Sequence, residues 1–146
     1  MKRIEEHKKD KFGSRQFLKL RKPENNTYFA YRVLLESELR QMARPNKFGN
    51  IDTVIDGKVI AVTNDDVKLI GKKVTINVSP KSYLGKLQDA FKNNGTLIGR
   101  KFEFINMGVA TSQKTGRKYT DGICVDVTLD TKLSALQLAK YLNRYK

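Results

Sequence analysis

Short runs of alternating apolar and polar residues recur along the chain, and two longer runs repeat at helical spacing. In "FLKLRK" (17–22), Leu18 and Leu20 fall on one face and Phe17, Lys19 and Arg21 on the other. "TYFAYRVLLE" (27–36) is rich in aromatic and β-branched residues and predicts a longer strand. "TVIDGKVIAVTN" (53–64) predicts another, with Asp56-Gly57 as a tight turn or a bulge inside it. "KKVTINV" (72–78) sets Val74, Ile76 and Val78 against Lys73, Thr75 and Asn77. "LIGRKFEFINMGVA" (97–110) and "YTDGICVDVTL" (119–129) complete the strands.

The helical runs are "SPKSYLGKLQDAFKNNG" (79–95) and "DTKLSALQLAKYLNRYK" (130–146). In the first, Tyr83, Leu84, Leu87, Ala90 and Phe91 share a face, so Tyr83 and Phe91 read as core. Ser79 is its expected cap, Pro80 suits the first turn and Gly95 the end. Between the strands, "PENN" (23–26) is turn chemistry, "NDDVKLIG" (64–71) a connection, and "TSQKTGRK" (111–118) a polar loop. "SELRQMARPNKFGN" (37–50) predicts one helical turn capped by Ser37, then a basic loop carrying Arg40, Arg44, Lys47 and Phe48. Residues 1–13 are charged almost throughout and read as a flexible basic arm.

Five or more short strands interrupted by one helix predict a mainly β protein. A helix after the third core strand, followed by a closing hairpin, is the order of an OB-fold-like five-stranded barrel. The expected organisation is a basic arm (1–13), a barrel domain (14–129) and a C-terminal amphipathic helix (130–146). An open α+β sheet of the RRM kind is the other reading, but it expects two helices between strands.

Composition sharpens the picture through charge. The 146 residues hold 29 Lys and Arg against 15 Asp and Glu, a net charge of +14. The excess is local: +6 in residues 1–22, +6 in 81–118 and +4 in 132–146, with the rest at −2. Clustered positive charge points to a polyanion, nucleic acid ahead of an anionic membrane surface. Solubility alone does not call for such a balance, since acids serve it better. The single Cys124 and single His7 leave no Cys/His zinc set and no Cys–His nucleophile pair within the folded part. No apolar run is long enough to span a bilayer and the first residues lack a signal-peptide pattern, so a cytoplasmic location is expected.

The candidate site is a set of cations interleaved with aromatics. Phe17, Lys19 and Arg21 form one group, Tyr28 and Arg32 a second, Lys47 and Phe48 a third. Lys73 lies on the polar face of its strand, and Lys101 stands beside Phe102, with Phe104 two positions on. Lys114, Arg117, Lys118 and Tyr119 gather at the last hairpin. Single-stranded nucleic acid needs this mixture, because flat rings restack exposed bases and cations meet phosphates. Buried aromatics are the competing explanation, and Phe29, Phe102 and Phe104 read first as core. Carboxylates for a metal-dependent nuclease exist (Asp52, Asp56, Asp65, Asp66, Glu103, Asp121, Asp126), but they form no D-x-D and no E-x-K. "GTLIGRK" lacks the Gly-Lys-Ser/Thr of a phosphate loop. No catalytic residue, metal or cofactor is expected.

"GSRQFLKLRKPENNTYFAYRVL" resembles the opening of OB-fold single-stranded DNA-binding proteins of phages, viruses and other mobile elements. "GKVIAVTNDDVKLIGKKVTINV", the helix, and "GRKFEFINMGVATSQKTGRKY" continue in the order such a barrel requires, so the likeness covers roughly residues 14–128. It implies a non-catalytic protein that coats single strands in replication, recombination or repair with weak sequence specificity. The family's acidic C-terminal tail is replaced here by a basic helical run, and the zinc module of some phage members is missing. An RNA-binding structural or ribosomal-type protein remains the alternative, with a nuclease behind it. The Leu/Tyr stripe of 130–146 suits docking on the barrel or a homodimer contact.

Overall fold

The computed structural model describes residues 15–25, 27–63 and 67–129. The basic arm and the C-terminal helix expected from the sequence lie outside these residues. Within them the chain is mainly β. Its strands are β1 (Gln16–Phe17), β2 (Ala30–Leu35), β3 (Arg40–Gln41), β4 (Thr53–Val62), β5 (Lys73–Asn77), β6 (Lys101–Thr111) and β7 (Lys118–Asp126). One helix, α1 (Leu84–Asn94), lies between β5 and β6. The strands form one sheet in the order β1-β5-β4-β2-β6-β7, with β3 pairing β4 off that path. Among the described residues β1 and β7 do not pair, so the sheet is open.

Strand alternation places the core. Tyr31, Val33 and Leu35 of β2 point inward with Ile55 and Val59 of β4, Val74 and Ile76 of β5, and Phe102 and Phe104 of β6. Each such large apolar side chain contributes about 1.5–3 kcal/mol relative to exposure. β2 is central and pairs antiparallel with both β4 and β6. β6 and β7 form the longest hairpin, bent by a bulge between Asn106 and Gly108. There Gly108 takes φ +103 and its N–H donates to Asn106 Oδ1.

α1 covers one end of the core with Leu87 and Ala90, and Tyr83 packs just before its first turn. The helix begins at Leu84, later than the spacing suggests. The carbonyl of Ser79 instead accepts N–H bonds from Ser82, Tyr83 and Leu84, which makes residues 79–83 a turn. Burial of Tyr83 sets that geometry: its hydroxyl donates to the Ile105 carbonyl at 3.0 Å. Phe91, expected in the core, is 45% exposed because it lies on the outer side of α1. Gly95 ends the helix in the left-handed conformation, its N–H donating to Phe91 O.

Three further expectations change. Residues 37–50 form no helical turn, because Ser37 is tied across to β4: its hydroxyl donates to Glu38 O and accepts the Asp56 N–H. Arg40 and Gln41 then pair with Val54 and Thr53. Asp56 and Gly57 make neither turn nor bulge but lie inside β4. Gly57 is required there, since a Cβ would meet Val33 Cγ1 at 2.4 Å and Leu34 O at 2.8 Å. Finally, the strand expected over 17–22 is only two residues long and runs parallel to β5. Beyond it the chain crosses from β5 to β6 and β2. Leu18 N–H donates to Thr75 O, Leu20 O accepts from Asn106 Nδ2, and Arg21 N–H reaches the Tyr31 hydroxyl. Among the described residues no helix is long and apolar enough to cross a membrane.

Candidate nucleic-acid interface

The outer face of the sheet carries a row of lysines. Lys73 of β5 stands opposite Lys58 of β4, Lys58 opposite Leu34 of β2, and Leu34 opposite Lys101 of β6. Neighbouring strands lie about 4.8 Å apart, so three ammonium groups are strung across four strands over roughly 15 Å. Lys73 and Lys101 are exposed and Lys58 is half-buried. Like charges directly opposite each other destabilise a sheet. None of the three forms an ion pair among the described residues. The directly opposed pair, Lys58 and Lys73, is therefore unfavourable for the sheet in itself.

Phe17 lies beside this row. It sits opposite Thr75 in the parallel β1–β5 pair, on the face away from the core, and is 58% exposed. Leu18, its neighbour, is buried and Leu20 packs on the core, as the alternation predicts. A shallow groove runs from Phe17 past Lys19, Arg21 and Lys22 to Lys68. Lys19, Lys22 and Lys68 are exposed. Arg21 is occupied structurally: its guanidinium stacks 4.0 Å from the Phe29 ring centroid and reaches Glu24 at 3.3 Å.

Two basic loops extend from the sheet. The loop between β3 and β4 carries Lys47 and Phe48, the latter 75% exposed. The loop between β6 and β7 carries Lys114 and Arg117, with Lys118 at the start of β7, and all three are exposed. Its tip is held by Gly116 at φ +69, whose N–H donates to Ser112 O. Tyr119 is half-buried, with Lys81 Nζ 4.8 Å from its ring centroid.

Other expected members have structural duties. Phe102 is a correction: it is 1% exposed in the core, 6.2 Å from Phe104, and offers no surface to a base. Arg32 pairs at 2.8 Å with Glu103, whose side chain is only 6% exposed and needs a cation beside it. Tyr28 is half-buried against Ala30, Ile105 and their neighbours on the outer face of β2, β6 and β7. The sequence reading missed Lys58, Lys22 and Lys68. For Lys58 the signal was present: read as an unbroken strand, β4 puts Asp56 and Lys58 on the face opposite Ile55, Gly57 and Val59.

The acids near this surface are held by cations. Partial burial would raise the Asp56 carboxyl, but hydrogen bonds from Arg40 and Thr75 and the charges of Arg40 and Arg15 hold it below its ordinary value. Arg40 grips it through Nε and Nη2, at 3.1 and 3.0 Å. Cys124 is the reverse case: burial pushes its thiol up to about 12, partly offset by Lys86, so it is not a thiolate at neutral pH. Among the described residues no group of three or more His, Cys, Asp or Glu is placed to hold a metal ion. Compared with known proteins, the chain matches no family model, no curated protein and no solved structure.

Proposed function

We propose that this protein is a non-catalytic single-stranded DNA-binding protein of weak sequence specificity, acting in replication, recombination or repair. The observation that carries the reading is Phe17, an exposed ring on the same face as a lysine row and in a groove lined by further lysines. Bases stack on Phe17 and Phe48 while Lys73, Lys58, Lys101, Lys19 and the hairpin cations meet phosphates. Stacking tolerates any base, which accounts for weak specificity. The finer architecture proposed is an OB-fold-like barrel of β2, β4, β5, β6 and β7. It is supported by the neighbour order, with β2 between β4 and β6, and by α1 after the third of these strands. In that arrangement the two basic loops flank the binding face.

The test is a titration against matched single-stranded DNA, duplex and RNA at several salt concentrations. Single-stranded DNA is expected to bind tightest. Equal or tighter duplex binding at the same salt overturns the reading, and a clear preference for RNA replaces it with an RNA-binding one. Phe17→Ala is expected to weaken single-strand binding by about 1–3 kcal/mol with an unchanged melting temperature. Labelled strands incubated with Mg²⁺ or Mn²⁺ should stay intact; cleavage would promote the nuclease alternative.

A further inference from the structure

The Phe48 loop is built more firmly than an exposed basic loop requires, and one side chain does most of the building. Asn46 Oδ1 accepts the N–H of Phe48 at 2.9 Å and of Asn50 at 3.1 Å. Asn46 Nδ2 donates to Asp52 Oδ1 at 2.9 Å, which ties the tip to the start of β4. The main chain closes the same turn, with Asn46 N–H on Asn50 O and Gly49 N–H on Asn46 O, and Gly49 at φ +82. All three polar hydrogen-bonding contacts of the Asn46 side chain thus point into the loop, and Asn46 itself is half-buried.

What this frame presents is an apolar ring that the fold does not use. Phe48 is 75% exposed and belongs to neither buried cluster. Lys47 Nζ stands over the ring, 5.1 Å from its centroid. A cation on one face leaves the other face open to a single flat partner and makes a negatively charged ligand more welcome there. Holding the ring in advance lowers the entropy lost when it stacks, so the frame raises affinity without touching the ligand.

We infer that Asn46 is a positioning residue that pre-sets Phe48 as a one-base stacking station for a single nucleic-acid strand. This rests on the single-strand reading above and adds to it a residue that meets no nucleotide. Asn46 acts only through the Phe48 ring, so its removal is felt only while the ring is present.

A double-mutant cycle on the full chain tests this, read by titration of a fluorescent oligothymidylate at fixed salt. Phe48→Ala is expected to weaken binding about tenfold, and Asn46→Ala at least about threefold. In the Phe48→Ala background, Asn46→Ala should cost nothing further. The exchange Asn46→Asp with Asp52→Asn swaps amide and carboxylate between the two positions. It keeps net charge and all three hydrogen bonds, since the carboxylate still accepts both loop N–H groups and the relocated amide donates to it from the start of β4. It should restore binding to within about twofold of the parent protein. Asn46→Ala binding as well as the parent overturns the inference. So do losses that multiply in the double variant, or an exchange variant that melts like the parent but stays weak. If the parent itself fails to bind the oligothymidylate while folded, the single-strand reading falls first and takes this inference with it.

Discussion

Gly122 and Tyr83 share one volume. A Cβ on Gly122 would lie 2.4 Å from the Tyr83 hydroxyl oxygen and 2.6 Å from Cζ, and that ring is 2% exposed. Gly122→Ala is therefore expected to lower stability by about 1–3 kcal/mol in denaturant melts, through overpacking. Tyr83→Phe keeps the ring and removes its bond to Ile105 O, for a cost of about 1–3 kcal/mol. Alternation told Phe17 from Leu18 correctly, because a strand sends neighbours to opposite faces. The same rule argues against reading Lys101 and Phe102 as one patch: in β6 the lysine is exposed and the phenylalanine buried. Adjacency in sequence makes a shared surface only in loops, as at Lys47 and Phe48, where ring and ammonium meet.

Among elements, the strands were the legible part, since each has a buried and a solvated face. What was illegible were the tethers that override local preference. Nothing local in "SELRQ" announces that Ser37 and Arg40 will bond to Asp56, yet those bonds replace a helical turn with β3. The β6–β7 hairpin has a similar tether at its open end, where Arg100 Nε meets Asp126 Oδ2 at 2.6 Å and Thr128 N–H donates to Oδ1 at 2.9 Å. Burial works against the Asp126 carboxylate, but the bonds from Arg100 and Thr128 and the Arg100 charge hold its pKa below the ordinary 3.8. A lowered folded value means the ionised form stabilises the fold. That contribution is full at neutral pH and fades as pH falls below the ordinary value toward the lowered one. Asp126→Asn should be less stable than the parent at neutral pH. The gap should narrow in acid melts, and a gap that stays constant would show that charge plays no part.

For the whole molecule, the prediction concerns salt. If about five phosphates are neutralised per site, log affinity should fall against log salt with a slope of roughly −3.5 for single strands. Replacing Lys58 and Lys73 together by Met should flatten the slope by more than one unit. It should also leave the sheet at least as stable, because a repulsive pair is gone. The net charge of +14 raised the expectation of a polyanion, but only register could say which lysines share a line. Lys58 and Lys73 meet in the β4–β5 pair, and Lys101 joins their line only because β2 is sandwiched between β4 and β6.

The position of β2 also has a kinetic consequence. β4–β5 and β6–β7 are near neighbours along the chain and can zip up on their own. Joining them requires β2 to find β6: Arg32 and Glu103, for example, bond across 71 positions. Loop closure must be met before any of that pairing is rewarded, so folding should take milliseconds to seconds. Val33→Ala, in the middle of β2, should slow folding as well as hasten unfolding. During that wait the two halves would each expose an unsatisfied strand edge, the state in which this chain is most open to pairing with a neighbour.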